Sequence, residues 1–555
     1  LQTSRRTFLE FMGRSVVGGI GLAAVSPLMG GCYSNQKQNE FTGTSLTGLQ
    51  RSTVDDLVLA DGLKYHVLAK WTDVINSNGD QFGAHCDYVS YIPFTQENPN
   101  EGYLWVNHEY FDPTLTSNFG RGRKAEEKTL EQIRIEQKSV GGSILHVKKS
   151  LETGAWAVVP MSAKNRRFDA LTEIPFSGGH RVFGSNKALG TLGNCCGGQT
   201  PWGTFLTCEE NYSYYYGSEK YDQNGNRTVE LSKSRMAWDR KIKNPPEHYG
   251  WVCEIDPRTH KIVKHPSLGR FAHEGAKVTV TSKQQAVVYM GDDAGDEHFY
   301  KFIADRPGQL VNGKLYVARM NSNPGTSESG AGEWVEISLN NPLLKGKFKN
   351  HTELMVRTRD AAKILGATPL DRPEGCDIDP LTKNIFLACT NNSLHDRNHG
   401  YVLKVKEEAS AFEALRFEWE VFVKGGGEDE MSCPDNLMFD PQGNLWIATD
   451  MPEAEPEIYG KFGNNSLFFC PTMGKNAGRA IRVASGPKDS ELTGIWFSPD
   501  KESIFLSVQH PGSTSKSSNP SDLTSHWPDG GTSMPKSSVV VIQGPLISQV
   551  MSQRS

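Results

Sequence analysis

The stretch Asn444-Leu-Trp-Ile-Ala-Thr-Asp450 decides the fold. Leu445, Ile447 and Thr449 alternate with Trp446, Ala448 and Asp450, the period-two pattern of a short strand enriched in β-branched and aromatic residues. Five other apolar runs likewise end on carboxylate or carboxamide side chains: Tyr103 to Glu109, Thr204 to Asn211, Ala286 to Asp293, Asn384 to Asn392 and Ser503 to His510. Each run has a polar signature upstream: Asp87, Asn194-Cys-Cys196, His273-Glu274, Arg372-Pro-Glu374, Cys433-Pro-Asp435 and Glu491-Leu-Thr-Gly494. In three repeats an Asp-Pro or Ser-Pro turn lies between the two, at Asp379, Asp440 and Ser498. Recurrence at spacings of tens of residues is the mark of a closed repeat array. The expectation is an all-β, six-bladed β-propeller with helical and loop insertions, a single domain over 61–555 whose acidic clusters meet on one axis. A Greek-key sandwich does not explain why acidic residues recur at matching positions.

Glu109, Glu209, Glu210, Glu274, Asp292, Asp293, Glu374, Asp435, Asp450 and Glu491 are the residues expected to converge. Close carboxylates repel by roughly 4 kcal/mol per pair at an effective dielectric near 20, and cations must offset that. Oxygen ligands suit Ca²⁺. Cys195, in the glycine-flanked turn Gly193-Asn-Cys-Cys-Gly-Gly198, adds a thiolate, which is a poor calcium ligand and a good one for iron or zinc. Arg372, two residues before Glu374, is either an anion clamp for phosphate oxygens or a structural partner of a carboxylate. His85, His108, His273 and His510 are candidate ligands or acids that read more readily as hydrogen-bonding supports around the site.

The bulk properties exclude other classes. A net charge of −5 gives no electrostatic footprint for nucleic acid. Mean hydropathy is −0.49, in keeping with a soluble body. Ten cysteines in 555 residues form no disulfide framework. No Walker loop, Rossmann fingerprint or nucleophile elbow occurs, and Asp222-Gln-Asn-Gly-Asn226 reads as a turn because its glycine is too early for a calcium loop.

Ser4-Arg-Arg-Thr-Phe-Leu9 followed by the apolar run Val16 to Leu28 reads as a twin-arginine export leader over 1–32, too short to span a bilayer. Met29-Gly-Gly-Cys32 resembles a lipoprotein cleavage box, with Met where Leu is usual; a lipid on Cys32 is one alternative for the mature protein and an untethered N-terminus the other. Residues 33–60 are expected to be a polar tether, disordered over Asn35–Thr47. The protein is thus expected to use the twin-arginine machinery, and to act outside the cytoplasm as a monomer. Long insertions lie at Arg121–Lys138, which is helix-permissive, at Tyr212–His248, a candidate lid beside the acidic face, and at Gly308–Asn341, a hairpin with a Ser/Gly-rich loop. Ser513–Pro535 reads as a long surface loop before a closing strand at Ser537–Ile542.

Val106-Asn-His-Glu-Tyr110, the block Asn194-Cys-Cys-Gly-Gly through Cys208-Glu-Glu-Asn211, His273-Glu274, Tyr289-Met-Gly-Asp-Asp-Ala294, Arg372-Pro-Glu374, Pro434-Asp435 and Gln509-His-Pro-Gly512 resemble the PhoX family of exported alkaline phosphatases, in order over about residues 60–515. The resemblance implies hydrolysis of phosphate monoesters at a central cluster of Fe³⁺ and Ca²⁺. It implies Cys195 as the iron-bound thiolate, Glu210, Glu274, Asp292, Glu374, Asp435, Asp450 and Glu491 as further ligands, and Arg372 as the phosphate-binding residue. His85-Cys86-Asp87 departs from the family's more frequent Asn-Asn-Asp, and Asn436 stands where glycine is usual. The alternatives from another class are a calcium-dependent propeller lactonase or phosphotriesterase, and a non-catalytic binding propeller that uses calcium for rigidity.

Overall fold

The computed structural model describes residues 48–222, 225–427 and 430–552. The twin-arginine leader, Cys32 and residues 33–47 lie outside them.

The architecture is all-β, built of antiparallel meanders in a propeller-like arrangement. One sheet starts at the strand Cys86–Pro93 and continues through Glu101–His108 and Gly141–Lys149. A second runs from Asn194–Gln199 through Phe205–Glu209 and Val252–Asp256 to Lys261–Lys264. A nine-stranded sheet has Lys277–Val280 at one edge and Pro373–Ile378 at the other. A fourth begins at Pro434–Phe439, and the last is ordered Glu491–Phe497, Ser503–Gln509, Ser538–Gln543, Lys64–Lys70. The edge strands named first and last in the nine-stranded sheet, and the first strand of each other sheet, pack side by side in chain order, and Glu491–Phe497 returns to lie against Cys86–Pro93. One axis is therefore shared by all of them.

The turns follow the expected chemistry. Asp440 Oδ1 accepts from the amides of Gln442 and Asn444, Asp379 Oδ1 from that of Leu381, and Ser498 Oγ from that of Ser503. Each side chain closes its hairpin by satisfying backbone donors that the ladder leaves over. The strands between them bury apolar faces almost without exposure, as at Leu445, Ile447, Val540 and Val541.

Two expectations need correction. The described part of the polar segment 33–60 is not a free tether. Val58–Leu59 pairs with Ser485 and Ala484, Asn464 donates its amide to the Ser52 carbonyl, and Leu57 is buried. An exposed sheet edge captured the segment, and its short apolar run pins it there. The Ser/Gly-rich loop at 321–332 ends in a strand, Ser329–Glu336, that pairs with Arg416–Lys424 and fuses two meanders into the nine-stranded sheet. Here edge pairing overrides local propensity. By contrast the helix-permissive stretch does form a helix, Leu130–Ser139, started by a Thr129–Gln132 capping box.

Candidate metal centre

The same local device aims side chains at the axis in sheet after sheet. His85, Gly193, Arg372 and Cys433 sit at positive φ (40°, 61°, 53° and 53°) just before four of the axis-lining strands. In each of those strands the pairing register then slips, between Cys86 and Val89, Asn194 and Gly197, Pro373 and Cys376, and Pro434 and Leu437. A β-bulge leaves a residue out of the ladder and turns its side chain away from the sheet faces. Asp87, Cys195, Glu374 and Asp435 lie within those slips. Neighbouring strands approach so closely that a Cβ on Gly375 would stand 2.4 Å from the Asp435 carbonyl oxygen, and only glycine fits there.

The outcome is one buried cluster. Cys195 Sγ lies 3.1 Å from Glu274 Oε1 and 3.4 Å from Asp87 Oδ2. Three overlapping sets each bring candidate ligand atoms within 4.8 Å of one another: Asp87, Glu109 and Cys195; Cys195, Glu210 and Glu274; Glu274, Glu374 and Asp435. Glu491 joins beside Asp435, and Asp450 approaches from the more exposed rim.

The electrostatics of this cluster call for cations. Burial first, and then neighbouring carboxylates, push Glu274, Glu210 and Glu491 well above the ordinary range. Burial likewise raises Asp87 to about 7, and burial together with the charge of Asp87 raises Glu109 to about 8. Burial and the surrounding charges of Asp87 and Glu274 hold the Cys195 thiol far above its usual value. Among the buried oxygens, Asp87 Oδ1 and Asp435 Oδ1 have no hydrogen-bond partner. Unpaired buried carboxylate oxygens carry a full desolvation cost, which metal coordination removes. The donor set therefore fits bound multivalent cations, with a thiol for a transition metal and oxygens for calcium.

Arg372 is the principal base in contact with the cluster. Its Nε and Nη2 bind Asp293 at 2.8 and 2.9 Å, and Nη2 lies 2.7 Å from Glu374 and 3.7 Å from Asp450. The Glu374 contact is an ion pair without hydrogen-bond alignment, since Glu374 Oε1 has no aligned partner. Burial raises the Asp293 carboxyl, but the charge and hydrogen bonds of Arg372 outweigh that and hold it low. Both sequence readings of Arg372 meet here: it is bound to carboxylates, and its side chain is still 26 % exposed at the open side.

Two predicted ligands are elsewhere. Glu209 is fully buried against the Lys264 ammonium at 2.6 Å and accepts from the amides of Gly250 and Trp251. Asp292 forms a bidentate pair with Arg359 and accepts from the Ala272 amide. The alternation of a strand sends successive side chains to opposite sides, so Glu210 and Asp293 face the axis while Glu209 and Asp292 brace the sheets. Glu209→Gln is expected to cost about 3 kcal/mol of stability by leaving Lys264 unpaired, with metal content unchanged. Denaturant titration alongside elemental analysis checks both halves, and loss of metal would restore Glu209 to the centre.

Asp87 enters the sequence reading only as a signature, and Asp293 only among the convergent acids; both belong to the cluster. The available signal for Asp87 is its place in the first slipped strand, equivalent to Cys195 and Asp435. His108 and His273 are structural, bonded to Ser143 Oγ and the Gly269 carbonyl. His85 and His510 stand at the rim, 5.6 Å apart, with His510 Nε2 3.6 Å from Glu491. No disulfide joins the cysteines at 86, 195, 196, 208, 253, 376, 389 and 433.

A family profile described as alkaline phosphatase PhoX matches residues 44–512. Among solved structures, Pseudomonas fluorescens PhoX in complex with vanadate, a transition state analogue, is 29% identical, with a TM-score of 0.80, over 90% of this chain and 98% of that one. A Dyadobacter fermentans protein of unknown function is 9% identical, with a TM-score of 0.39, over 87% of this chain and all of its own. A Xanthomonas campestris gluconolactonase, at 9% identity and a TM-score of 0.30, covers 90% and 98%. No curated protein matches.

Proposed function

The chain belongs to the PhoX family of alkaline phosphatases, and from that premise we propose that its buried thiol–carboxylate cluster is a mixed ferric iron and calcium centre that hydrolyses phosphate monoesters. The observation that carries this reading is Cys195 Sγ lying between Asp87 and Glu274, in a cluster where Asp87 Oδ1 and Asp435 Oδ1 have no hydrogen-bond partner.

Cys195 with Glu210 and Glu274 would hold iron, because a thiolate selects a transition metal. Glu374, Asp435 and Glu491, with Asp450 at the rim, form the all-oxygen side that suits calcium. Bound there, the ions supply Lewis acidity to the phosphoryl oxygens and lower the pKa of an attacking water. Asp293 and Glu374 orient the Arg372 guanidinium through Nε and Nη2, which leaves Nη1 for a substrate oxygen. The burial of Asp87, Glu109 and Glu274 keeps bulk water from the reacting group and strengthens every charge contact in the site. Cys195 acts as a ligand and not as a nucleophile, so the chain contributes no covalent intermediate.

We read the nine-stranded sheet as two four-stranded meanders joined through an extra strand, which with the other four sheets makes a six-bladed propeller over 61–555. The leader at 1–32 implies export through the twin-arginine machinery to the periplasm or beyond, with a lipid on Cys32 as a tether and the catalytic domain acting as a monomer.

Elemental analysis of the purified full-length protein, together with a panel of monoesters and diesters, tests the assignment. Iron plus calcium with monoester hydrolysis is expected. Vanadate, bound by the Pseudomonas fluorescens relative as a transition state analogue, is expected to inhibit. Calcium alone, with lactone or triester hydrolysis, would overturn the assignment.

A further inference from the structure

Asn436, which stands where glycine is usual, hydrogen-bonds the carboxylate just before it in the chain. Its Nδ2 donates to Asp435 Oδ2 at 2.9 Å, and its Oδ1 accepts from the Gly494 amide at 2.8 Å. A backbone N–H can only donate, so the carboxamide has one orientation and its amino end faces Asp435. Successive side chains of a regular strand point to opposite faces. These two meet because both lie in the register slip between Pro434 and Leu437. Gly494 lies in a second slip, between Thr493 and Trp496, and a Cβ there would stand 2.3 Å from the Asp87 carbonyl oxygen. One carboxamide thereby ties the strand carrying Asp435 to the strand carrying Glu491.

Asn436 and Asp435 are 4 % and 2 % exposed. With Oδ2 taken, Asp435 keeps Oδ1, which has no hydrogen-bond partner, for the group it forms with Glu274 and Glu374. Asn436 also lines a cavity of about 1110 Å³, together with Tyr88 and Cys196, the residues directly after Asp87 and Cys195. The cavity thus lies against the back of the cluster, with Asn436 between it and Asp435.

We propose that Asn436 is a positioning residue for calcium. It holds Asp435 by one oxygen, so that only the other is offered to the ion, and it takes the place that water from the cavity would otherwise fill. The inference rests on reading the cluster as a metal centre. A donor fixed behind a ligand sets that ligand's direction, whereas an exchangeable water sets it less firmly. The same pattern recurs at Asp87, whose Oδ2 accepts from Gln509 Nε2 at 2.7 Å while Oδ1 has no hydrogen-bond partner.

The test frees the full-length protein of calcium with a calcium-selective chelator, titrates it with calcium ion and follows the rise in melting temperature. Asn436→Ala is expected to raise the calcium concentration at half effect about three- to tenfold, because cavity water takes over part of the donor's role. Asn436→Leu fills the same space, offers no donor and keeps water out, so a rise of about ten- to a hundredfold is expected. A role in packing alone predicts the reverse order, with the leucine variant nearer the unaltered protein. Melting without calcium separates a general loss of stability from a loss of affinity. Half-effect concentrations that match the unaltered protein's, or a leucine variant that binds calcium more tightly than the alanine one, would overturn the role. Where the leucine variant does not fold, the alanine variant decides alone, and unchanged affinity overturns the role. An unaltered protein that takes up no calcium would instead remove the metal-centre reading beneath it.

Discussion

Replacing Cys195 by alanine is expected to leave the purified protein without iron and to lower kcat/KM for p-nitrophenyl phosphate by about 10³-fold or more. The size follows from what the ion supplies: Lewis-acid stabilisation of developing charge is worth several kcal/mol, and each 1.36 kcal/mol is a factor of ten. Cys195 is the thiol at the meeting of two candidate ligand sets, one with Asp87 and Glu109, the other with Glu210 and Glu274. Its loss therefore disturbs both. The alanine variant should still fold, because the strand Asn194–Gln199 is held by its ladder to Phe205–Glu209 and by Asn107, which donates to the Cys195 and Cys196 carbonyls. An iron-replete and fully active Cys195→Ala protein would refute the ligand assignment.

Stripping the metals is expected to make stability depend on pH in a particular direction. Asp87 and Glu109 ordinarily titrate near 4 when unfolded, yet burial, and for Glu109 also the charge of Asp87, holds them at about 7 and about 8 in the fold without cations. Between those limits the folded chain keeps protons that the unfolded chain has released, so unfolding free energy falls as pH rises. Their contribution is complete below pH 4 and is lost as pH rises through about 7 for Asp87 and about 8 for Glu109. Asp293, held low by Arg372, works oppositely and loses its contribution only on acidification toward its unfolded value. Chelated protein should therefore melt lower at pH 8 than at pH 5, by about 5 °C or more. Metal-loaded protein should lack that decline, because cations replace the protons. Calorimetry at the two values, with and without chelator, decides; a stripped protein whose melting rises over the same window would sink the cluster's electrostatic account.

Much of the fold was legible because alternation, turn residues and a repeated acidic terminus agreed with one another. Asp440 and Asp379 were readable as turn residues since their role is local, settled within four residues of sequence. What could not be read was partnership across the sheets. The pairing of Val58–Leu59 with an edge strand, and of Ser329–Glu336 with Arg416–Lys424, depends on which backbone edges happen to be free. The same distinction governs the centre. Glu209 and Glu210 are chemically alike and adjacent, and only tertiary partnership, with Lys264 two strands away in the sheet pairing with Glu209, tells which one points inward. Asp87 was easy to undervalue because its neighbours His85 and Cys86 carry no acidic signature, whereas Cys433-Pro-Asp435 and Arg372-Pro-Glu374 announce themselves in pairs.

The final sheet joins Lys64–Lys70 to Ser538–Gln543 and also contributes Glu491 to the centre. A nascent chain leaving the ribosome must therefore hold its first long strand without its partner until residues 538–543 have been made. The strand that carries Glu491 belongs to the same sheet, so that side of the cluster is closed only at the same moment. A transcript truncated shortly before residue 538 would yield a protein in which Lys64–Lys70 and Ser503–Gln509 lack the strand that joins them, however intact the remaining sheets.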